Sequence, residues 1–178
     1  MMKKIIIAVI WICLIMTIGE IYIIKVYPIK YKKEISECSQ KYDIDESLIY
    51  AIIKSESSFY PNRESKAGAC GLMQIMPNTM KYIKGDSKLD KDKLFEPSFN
   101  IEVGTKYLRY LFNKFKKTEL VICAYNAGEG NIKKWLNDTR YSLDGETLID
   151  IPFLETRKYL KKVLGSEKIY KKLLQRNK

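Results

Sequence analysis

The hydrophobic pattern divides the chain into an apolar start and a body with helical periodicity. Residues 5–24 are almost uniformly aliphatic, and Glu20 is the one charged position in that run. A helix of about twenty residues spans the hydrocarbon layer of a bilayer. The run therefore predicts a transmembrane helix within residues 1–27. Because no small-x-small cleavage site follows it, we expect an uncleaved signal anchor.

The body places apolar residues at the spacing of amphipathic helices. A first stripe runs over Ile35–Tyr42, and a second helix begins at Asp43 or Asp45, either of which can cap it. The apolar face of this second helix leads to Glu56. Later helices are predicted around residues 74–82, after Pro97–Asn100 and from Thr118. No convincing alternating strand is present, so the sequence predicts a mainly α fold.

The C-terminal segment contains two apolar groups that are separated by Gly165 and Ser166. The first group predicts a last helix that packs on the domain, whereas the residues beyond it carry dense positive charge. We therefore expect one globular domain over residues 28–165 and a loosely attached basic tail over residues 166–178.

Charge is distributed unevenly along the chain. The formal net charge is +11, yet residues 157–178 alone carry nine basic side chains against Glu167, and residues 28–156 are nearly neutral. A terminal basic run favours an anionic wall polymer, lipid headgroups or nucleic acid without choosing among them.

Histidine is absent, which excludes Ser-His and Cys-His nucleophile pairs and His-ligated metal sites. Cys13 lies within the apolar run, which leaves Cys38, Cys70 and Cys123 in the body without a C-x-x-C pair. This odd number disfavours metal binding. One disulfide is possible in an exported body, but buried thiols are the more frequent outcome.

Glu56 follows the apolar stripe of the second helix at helical spacing, so it points the same way as the buried face. A carboxyl group held against apolar walls has a raised pKa and stays protonated near neutral pH, as a general acid for glycosidic cleavage must. The structural alternative is a helix-terminal carboxylate that is capped by Ser57 or Ser58, or paired with a lysine.

Four ordered segments then identify a family resemblance. They are Ser55–Phe59, Gly68–Pro77, Ala124–Gly128 and Ile151–Tyr159. Together they closely resemble the successive motifs of the soluble lytic transglycosylase catalytic domain, which has a goose-type-lysozyme-like fold within the α+β lysozyme-like superfamily. The match extends from about Ile35 to Tyr159, and four motifs in order are far more specific than any one alone.

The resemblance implies cleavage of the β-1,4 bond between N-acetylmuramic acid and N-acetylglucosamine in peptidoglycan, with a 1,6-anhydromuramic end as the product. It implies that Glu56 is the single acid/base, and that neither a cofactor nor a metal is needed. It also implies substrate-binding roles for Ser65, Gln74, Met76, Tyr125, Asn126 and Glu155.

The implied substrate also decides the expected topology. More lysines follow the apolar run than precede it. The positive-inside rule alone would therefore place the body in the cytoplasm. Peptidoglycan lies outside the membrane, so we expect a single-pass protein with its catalytic domain outside and no nucleic-acid partner. The alternatives are a hydrolytic muramidase that uses Glu64, Asp86 or Asp90 as a second carboxylate, or a non-enzymatic membrane-tethered wall binder.

Overall fold

The structure is a computed structural model that describes residues 2–176, without the side chains at positions 3–5 and 7–9. The chain forms two compact units, one up to Lys30 and one from Tyr31 onward. The first unit contains helix α1 (Met2–Val26). Among the described residues, no helix is long and apolar enough to cross a membrane. The predicted transmembrane helix is therefore not supported, and part of its apolar run, at positions 5 and 7–9, lies outside the described side chains.

The second unit is built from helices. These are α2 (Lys32–Tyr42), α3 (Glu46–Glu56), α4 (Pro77–Lys84), a 3-10 helix (Lys91–Phe95), α5 (Pro97–Phe115), α6 (Thr118–Ala127), α7 (Glu129–Leu136) and α8 (Leu154–Arg176). Over residues 2–176 there is no β-strand beyond isolated bridges that pair Cys70 with Glu64 and with Ile75. The prediction of a mainly α fold is confirmed.

Helix α3 is the central element of this unit. Asp45, and not Asp43, caps its start, because the Asp45 carboxylate accepts a hydrogen bond from the backbone N–H of Ser47 at 2.8 Å. Asp43 instead ends α2 in the left-handed conformation. All residues of α3 from Ser47 to Ile53 are buried, and the helix packs against α8 and α2. This burial fixes the position of Glu56 at the end of the helix.

Helix α8 continues without a break through Gly165 and Ser166. Tyr170 is fully buried, and its ring stacks on that of Tyr50 with 5.0 Å between centroids. The prediction of a loosely attached tail from Ser166 is therefore wrong for this part of the helix, because Val163 and Tyr170 lie on one apolar face that packs on α3. Positions 177–178 of that tail lie outside the described residues.

Hydrogen bonds formed by the side chain of Asn100 in α5 fix the loop between α3 and α4. The buried Asn100 amide accepts from the N–H of Met73 at 2.7 Å and donates to the carbonyls of Cys70 at 3.0 Å and Leu94 at 2.7 Å. Gly71 has a φ of +79°, and a Cβ there would collide with the Leu94 carbonyl and the Asn100 amide. Close backbone approach thus fixes the loop.

Candidate active site

One cleft collects most of the residues to which the sequence analysis assigned a role in chemistry or binding. Its volume is about 600 Å3, and it opens between the end of α3, the following loop and α8. The predicted residues along it are Glu56, Ser65, Gln74, Asn126 and Glu155. The cleft is further lined by Ser55, Arg63, Glu64, Lys66, Lys158, Tyr159 and Lys162. Positions far apart in the chain therefore share one surface.

Two predicted residues lie outside this lining. Met76 is 39% exposed and borders a neighbouring pocket that it shares with Glu64. The hydroxyl of Tyr125 donates a hydrogen bond to the carbonyl oxygen of Met73 at 2.8 Å. Burial raises the pKa of Tyr125 well above its ordinary value, so the phenol stays protonated. Tyr125 thereby holds the backbone that precedes Gln74.

Glu56 combines burial with a strong hydrogen bond. The hydroxyl of Tyr159 donates to Glu56 Oε1 at 2.5 Å. Burial raises the pKa of Glu56 from 4.5 to about 7, and this effect outweighs the opposing hydrogen bond from Tyr159 and the charges of Lys162 and Arg63, while Glu155 raises it further. A carboxyl group with a pKa near 7 is present in both protonation states at neutral pH, so it can donate a proton and later accept one.

The turn that follows Glu56 is fixed by Ser57. The buried Ser57 hydroxyl donates to the carbonyl of Ile53 at 3.2 Å and accepts from the N–H of Phe59 at 3.1 Å. Ser58 and Phe59 both adopt positive φ angles, a conformation that non-glycine residues rarely adopt. Ser57 therefore shapes the turn and does not cap the Glu56 carboxyl group, which faces the cleft.

Gln74 also has a positive φ, of 49°. Its side-chain nitrogen Nε2 donates to the carbonyl of Arg63 at 2.9 Å and to that of Gly71 at 2.8 Å. Because both of these partners are carbonyl oxygens, the side-chain atom that faces them must be the amide nitrogen. Both amide hydrogens are used, so Oε1 is the side-chain atom that a ligand can bind. Gln74 thus offers the cleft a hydrogen-bond acceptor.

The start of α8 is joined to the end of α6. Thr156 Oγ1 donates to Asn126 Oδ1 at 2.7 Å, which orients the Asn126 amide at the cleft. Glu155 is exposed on the same cleft. Arg157, two residues after Glu155, forms an ion pair with Asp150 at 2.8 Å. Glu155 is therefore not held by Arg157.

The three candidates for a second catalytic carboxylate lie in different places. Glu64 lines the cleft and pairs with Lys91 at 3.4 Å. Asp86 and Asp90 do not line the cleft. The carboxylate of each accepts a hydrogen bond from the backbone N–H of the residue two positions later. Of these three, Glu64 alone shares a surface with Glu56.

The described cysteines are all free, and Cys38, Cys70 and Cys123 are buried. Burial raises the pKa of the Cys38 and Cys123 thiols to about 11, so these thiols stay protonated and unreactive at neutral pH. Within residues 2–176, no group of His, Cys, Asp and Glu side chains has the arrangement of a metal site.

Several cleft residues had no predicted role, and two of them, Tyr159 and Lys162, form hydrogen bonds with Glu56 or with the residue that precedes it. Tyr159 belongs to the last motif segment, but nothing in the sequence shows that its hydroxyl reaches Glu56. Lys162 follows that segment, and its ammonium group donates to the carbonyl of Ser55 at 2.7 Å. A helical pattern could have indicated both residues, because Tyr159 and Lys162 follow Glu155 by about one and two turns of the same helix.

Comparison with known proteins gives consistent matches. The family model described as Transglycosylase SLT domain matches residues 33–147. The chain is 35% identical over 151 residues to the soluble lytic murein transglycosylase of Salmonella typhimurium. This alignment covers 82% of this chain and 23% of that protein. The Escherichia coli protein of the same name is 34% identical with the same coverage. The chain thus spans about a quarter of the length of these relatives.

Solved structures match over a similar part of the chain. An inactive mutant of the lytic transglycosylase Slt from Pseudomonas aeruginosa has a TM-score of 0.73 and 32% identity, and the match covers 84% of this chain and 25% of that one. The 70-kDa soluble lytic transglycosylase in complex with bulgecin A has a TM-score of 0.75 and 29% identity, over 88% of this chain and 26% of that one. The lysozyme-like fold class inferred from the motifs is confirmed by these similarities.

Proposed function

This chain belongs to the Transglycosylase SLT domain family, and from that premise we propose that it is a lytic transglycosylase that cleaves peptidoglycan. The bond cut is the β-1,4 linkage between N-acetylmuramic acid and N-acetylglucosamine, and the product carries a 1,6-anhydromuramic end. The observation that carries this proposal is the carboxyl group of Glu56, which lies in an open cleft, accepts a hydrogen bond from Tyr159 and has a pKa raised to about 7.

The proposed mechanism uses Glu56 twice. The protonated carboxyl donates its proton to the glycosidic oxygen as the bond from that oxygen to C1 of the muramic residue breaks. The carboxylate then takes the proton of the muramic C6 hydroxyl while that oxygen bonds to C1. The proton is returned to Glu56 and no water is consumed. A glycosidase with two catalytic carboxylates would instead need a second group as nucleophile or water-activating base.

The remaining cleft residues hold the glycan in this proposal. Oε1 of Gln74 accepts a hydrogen bond from an acetamido N–H, since both hydrogens of its own amide are bonded to backbone carbonyls. Asn126 and Glu155 line the same cleft, as does Ser65 from the loop after α3. These roles are expected to affect substrate affinity more than the proton transfer. Met76 borders the adjacent pocket, and Tyr125 acts through the backbone of Met73.

Analysis of the products tests the proposal. Purified sacculi are incubated with the chain, and the released muropeptides are examined by mass spectrometry. We expect ends that are lighter than hydrolysed ends by one water. Hydrolysed ends alone would support the second candidate, a muramidase. Of the three carboxylates considered for that mechanism, Glu64 is the one that lines the cleft. No release of fragments would support the non-enzymatic wall binder.

The proposed substrate places the catalytic domain outside the cytoplasm. Attachment to a membrane through residues 5–24 remains a proposal from the apolar sequence alone. Carbonate extraction of membranes tests this attachment. An anchored chain stays in the membrane fraction, whereas its release would remove the anchor from the proposal.

The basic surface of α8 is a further proposed partner site, for an anionic wall polymer or lipid headgroups. Lys168 and Lys172 are exposed on α8, and each basic residue near an anionic surface contributes about 1 kcal/mol at low salt. The double change Lys168→Gln with Lys172→Gln is expected to weaken binding to anionic vesicles or to teichoic-acid-bearing walls. Unchanged binding at low salt would exclude this surface.

A further inference from the structure

We propose that Lys162 is a positioning residue for the proton transfers of Glu56, because its ammonium group fixes the end of α3 and stabilises the Glu56 carboxylate whenever the proton has left. This inference rests on the proposed function, since it concerns the same carboxyl group. It adds a residue that follows the last motif segment to the reaction proposed for Glu56.

The first support is a contact at the end of α3. The ammonium group of Lys162 donates to the carbonyl oxygen of Ser55 at 2.7 Å, and Ser55 directly precedes Glu56. Carbonyls in the last turn of a helix have no partner within the helix and form the negative end of its dipole. A lysine that binds one of them stabilises that turn. The backbone that carries Glu56 is therefore tied to α8.

The second support is the arrangement of charge around the carboxyl group. Tyr159 and Lys162 are three residues apart on α8, a spacing that puts both on one face of a helix. Both line the cleft with Glu56. The groups that face Glu56 are Tyr159, Lys162 and Glu155 from α8, Tyr125 from α6 and Arg63 from the loop after α3. Among the described residues, no carboxylate forms an ion pair with Lys162. The positive charge of Lys162 is therefore not neutralised by another carboxylate and acts on Glu56.

Lys162 balances two requirements of the reaction. Burial favours the protonated form of Glu56, which suits the first step but disfavours the carboxylate needed in the second. The positive charge of Lys162 opposes that effect and lowers the pKa of Glu56. The pKa of Lys162 is lowered, mainly by burial, and the negative charge of Glu56 opposes this effect. The two groups are therefore coupled electrostatically across the cleft.

Two substitutions at Lys162 test the role of its charge. Lys162→Gln removes the charge and places its N–H donor one bond closer to the backbone, whereas Lys162→Arg keeps the charge and a long side chain with N–H donors. In Lys162→Gln, we expect the alkaline limb of the pH–rate profile to move up by about half a pH unit or more, and the maximal rate to fall several-fold. Lys162→Arg should keep the limb of the unaltered chain. The matched control is Lys161→Gln, at an exposed neighbouring position outside the cleft.

A direct titration of Glu56 keeps this inference separate from the proposed activity. Carboxyl 13C NMR of the full chain, with the Glu56 signal assigned from Glu56→Gln, measures its pKa whether or not glycan is cleaved. We expect a higher pKa in Lys162→Gln than in Lys161→Gln or the unaltered chain. An unchanged Glu56 pKa in Lys162→Gln, or an equal shift in Lys162→Arg, would overturn the role of Lys162. Absence of anhydro ends would count against the proposed function alone.

Discussion

Replacing Glu56 with glutamine is expected to abolish cleavage and, at the same time, to make the protein more stable at alkaline pH. Glutamine keeps the shape of the side chain and an oxygen that can accept from Tyr159, but it cannot donate and take back a proton. General acid/base catalysis contributes about 100- to 10,000-fold to rate, so the loss of sacculus cleavage should be at least about 100-fold.

The stability gain follows from the sign of the pKa shift. The pKa of Glu56 is raised from 4.5 to about 7 by burial, so between these values the folded chain holds a proton that the unfolded chain has lost. Stability therefore falls as pH rises through this range. Each pKa unit is worth about 1.4 kcal/mol, and the folded state above pH 7 is thus destabilised by up to about 3 kcal/mol. Water in the open cleft reduces that figure.

Unfolding by urea between pH 4 and pH 9 measures this effect. The unaltered chain and Glu56→Gln should have similar stability near pH 4, and the variant should become more stable above pH 7 by about 2 to 3 kcal/mol. The control is Glu119→Gln, because Glu119 is an exposed carboxyl group of α6 that does not line the cleft. A difference between Glu56→Gln and the unaltered chain that does not vary with pH would refute the reasoning.

Three further substitutions test other contacts. Tyr159→Phe removes the donor that favours the Glu56 carboxylate, so cleavage should slow by about ten-fold and the alkaline limb of its pH profile should move up; an unchanged limb contradicts this. Asn100→Leu removes the hydrogen-bond partner of the Met73 N–H and of the Leu94 carbonyl, whereas the Cys70 carbonyl keeps its bond from the N–H of Ile75. The change should cost about 2 kcal/mol or more in urea unfolding, with weaker glycan binding as the loop of Gln74 loosens. Tyr170→Ala empties a fully buried site and should cost about 3–5 kcal/mol; a neutral effect would restore the loosely attached tail.

The helices with strong periodicity were predictable because a local pattern records which face of a helix is buried. The apolar stripe of α3 predicted both the helix and the inward direction of Glu56, and the structure has the same arrangement. Asp43 and Asp45 were equivalent as caps in the sequence, since capping depends on the backbone angles of each residue. Those angles are fixed only when α2 and α3 pack together.

The tail was predicted incorrectly for a related reason. Gly165 and Ser166 weaken a helix when it is judged by local propensity, and the lysines suggested a solvated segment. Burial of Tyr170 against Tyr50 offsets that weakness, and this contact joins residues that are far apart in the chain. Helix α7 (Glu129–Leu136) was not predicted because it is short and directly follows the glycine that ends α6.

The sequence by itself determined the helical class, the family and the carboxyl group to which we assign the proposed chemistry, because four motifs and one apolar stripe are properties of short segments. The tertiary structure decided the environment of that group. The hydrogen bond from Tyr159 to Glu56 joins residues 103 positions apart, and the contact of Lys162 with Ser55 spans 107. A pKa near 7 is the sum of burial and of charges brought together by packing, and no local pattern contains that sum.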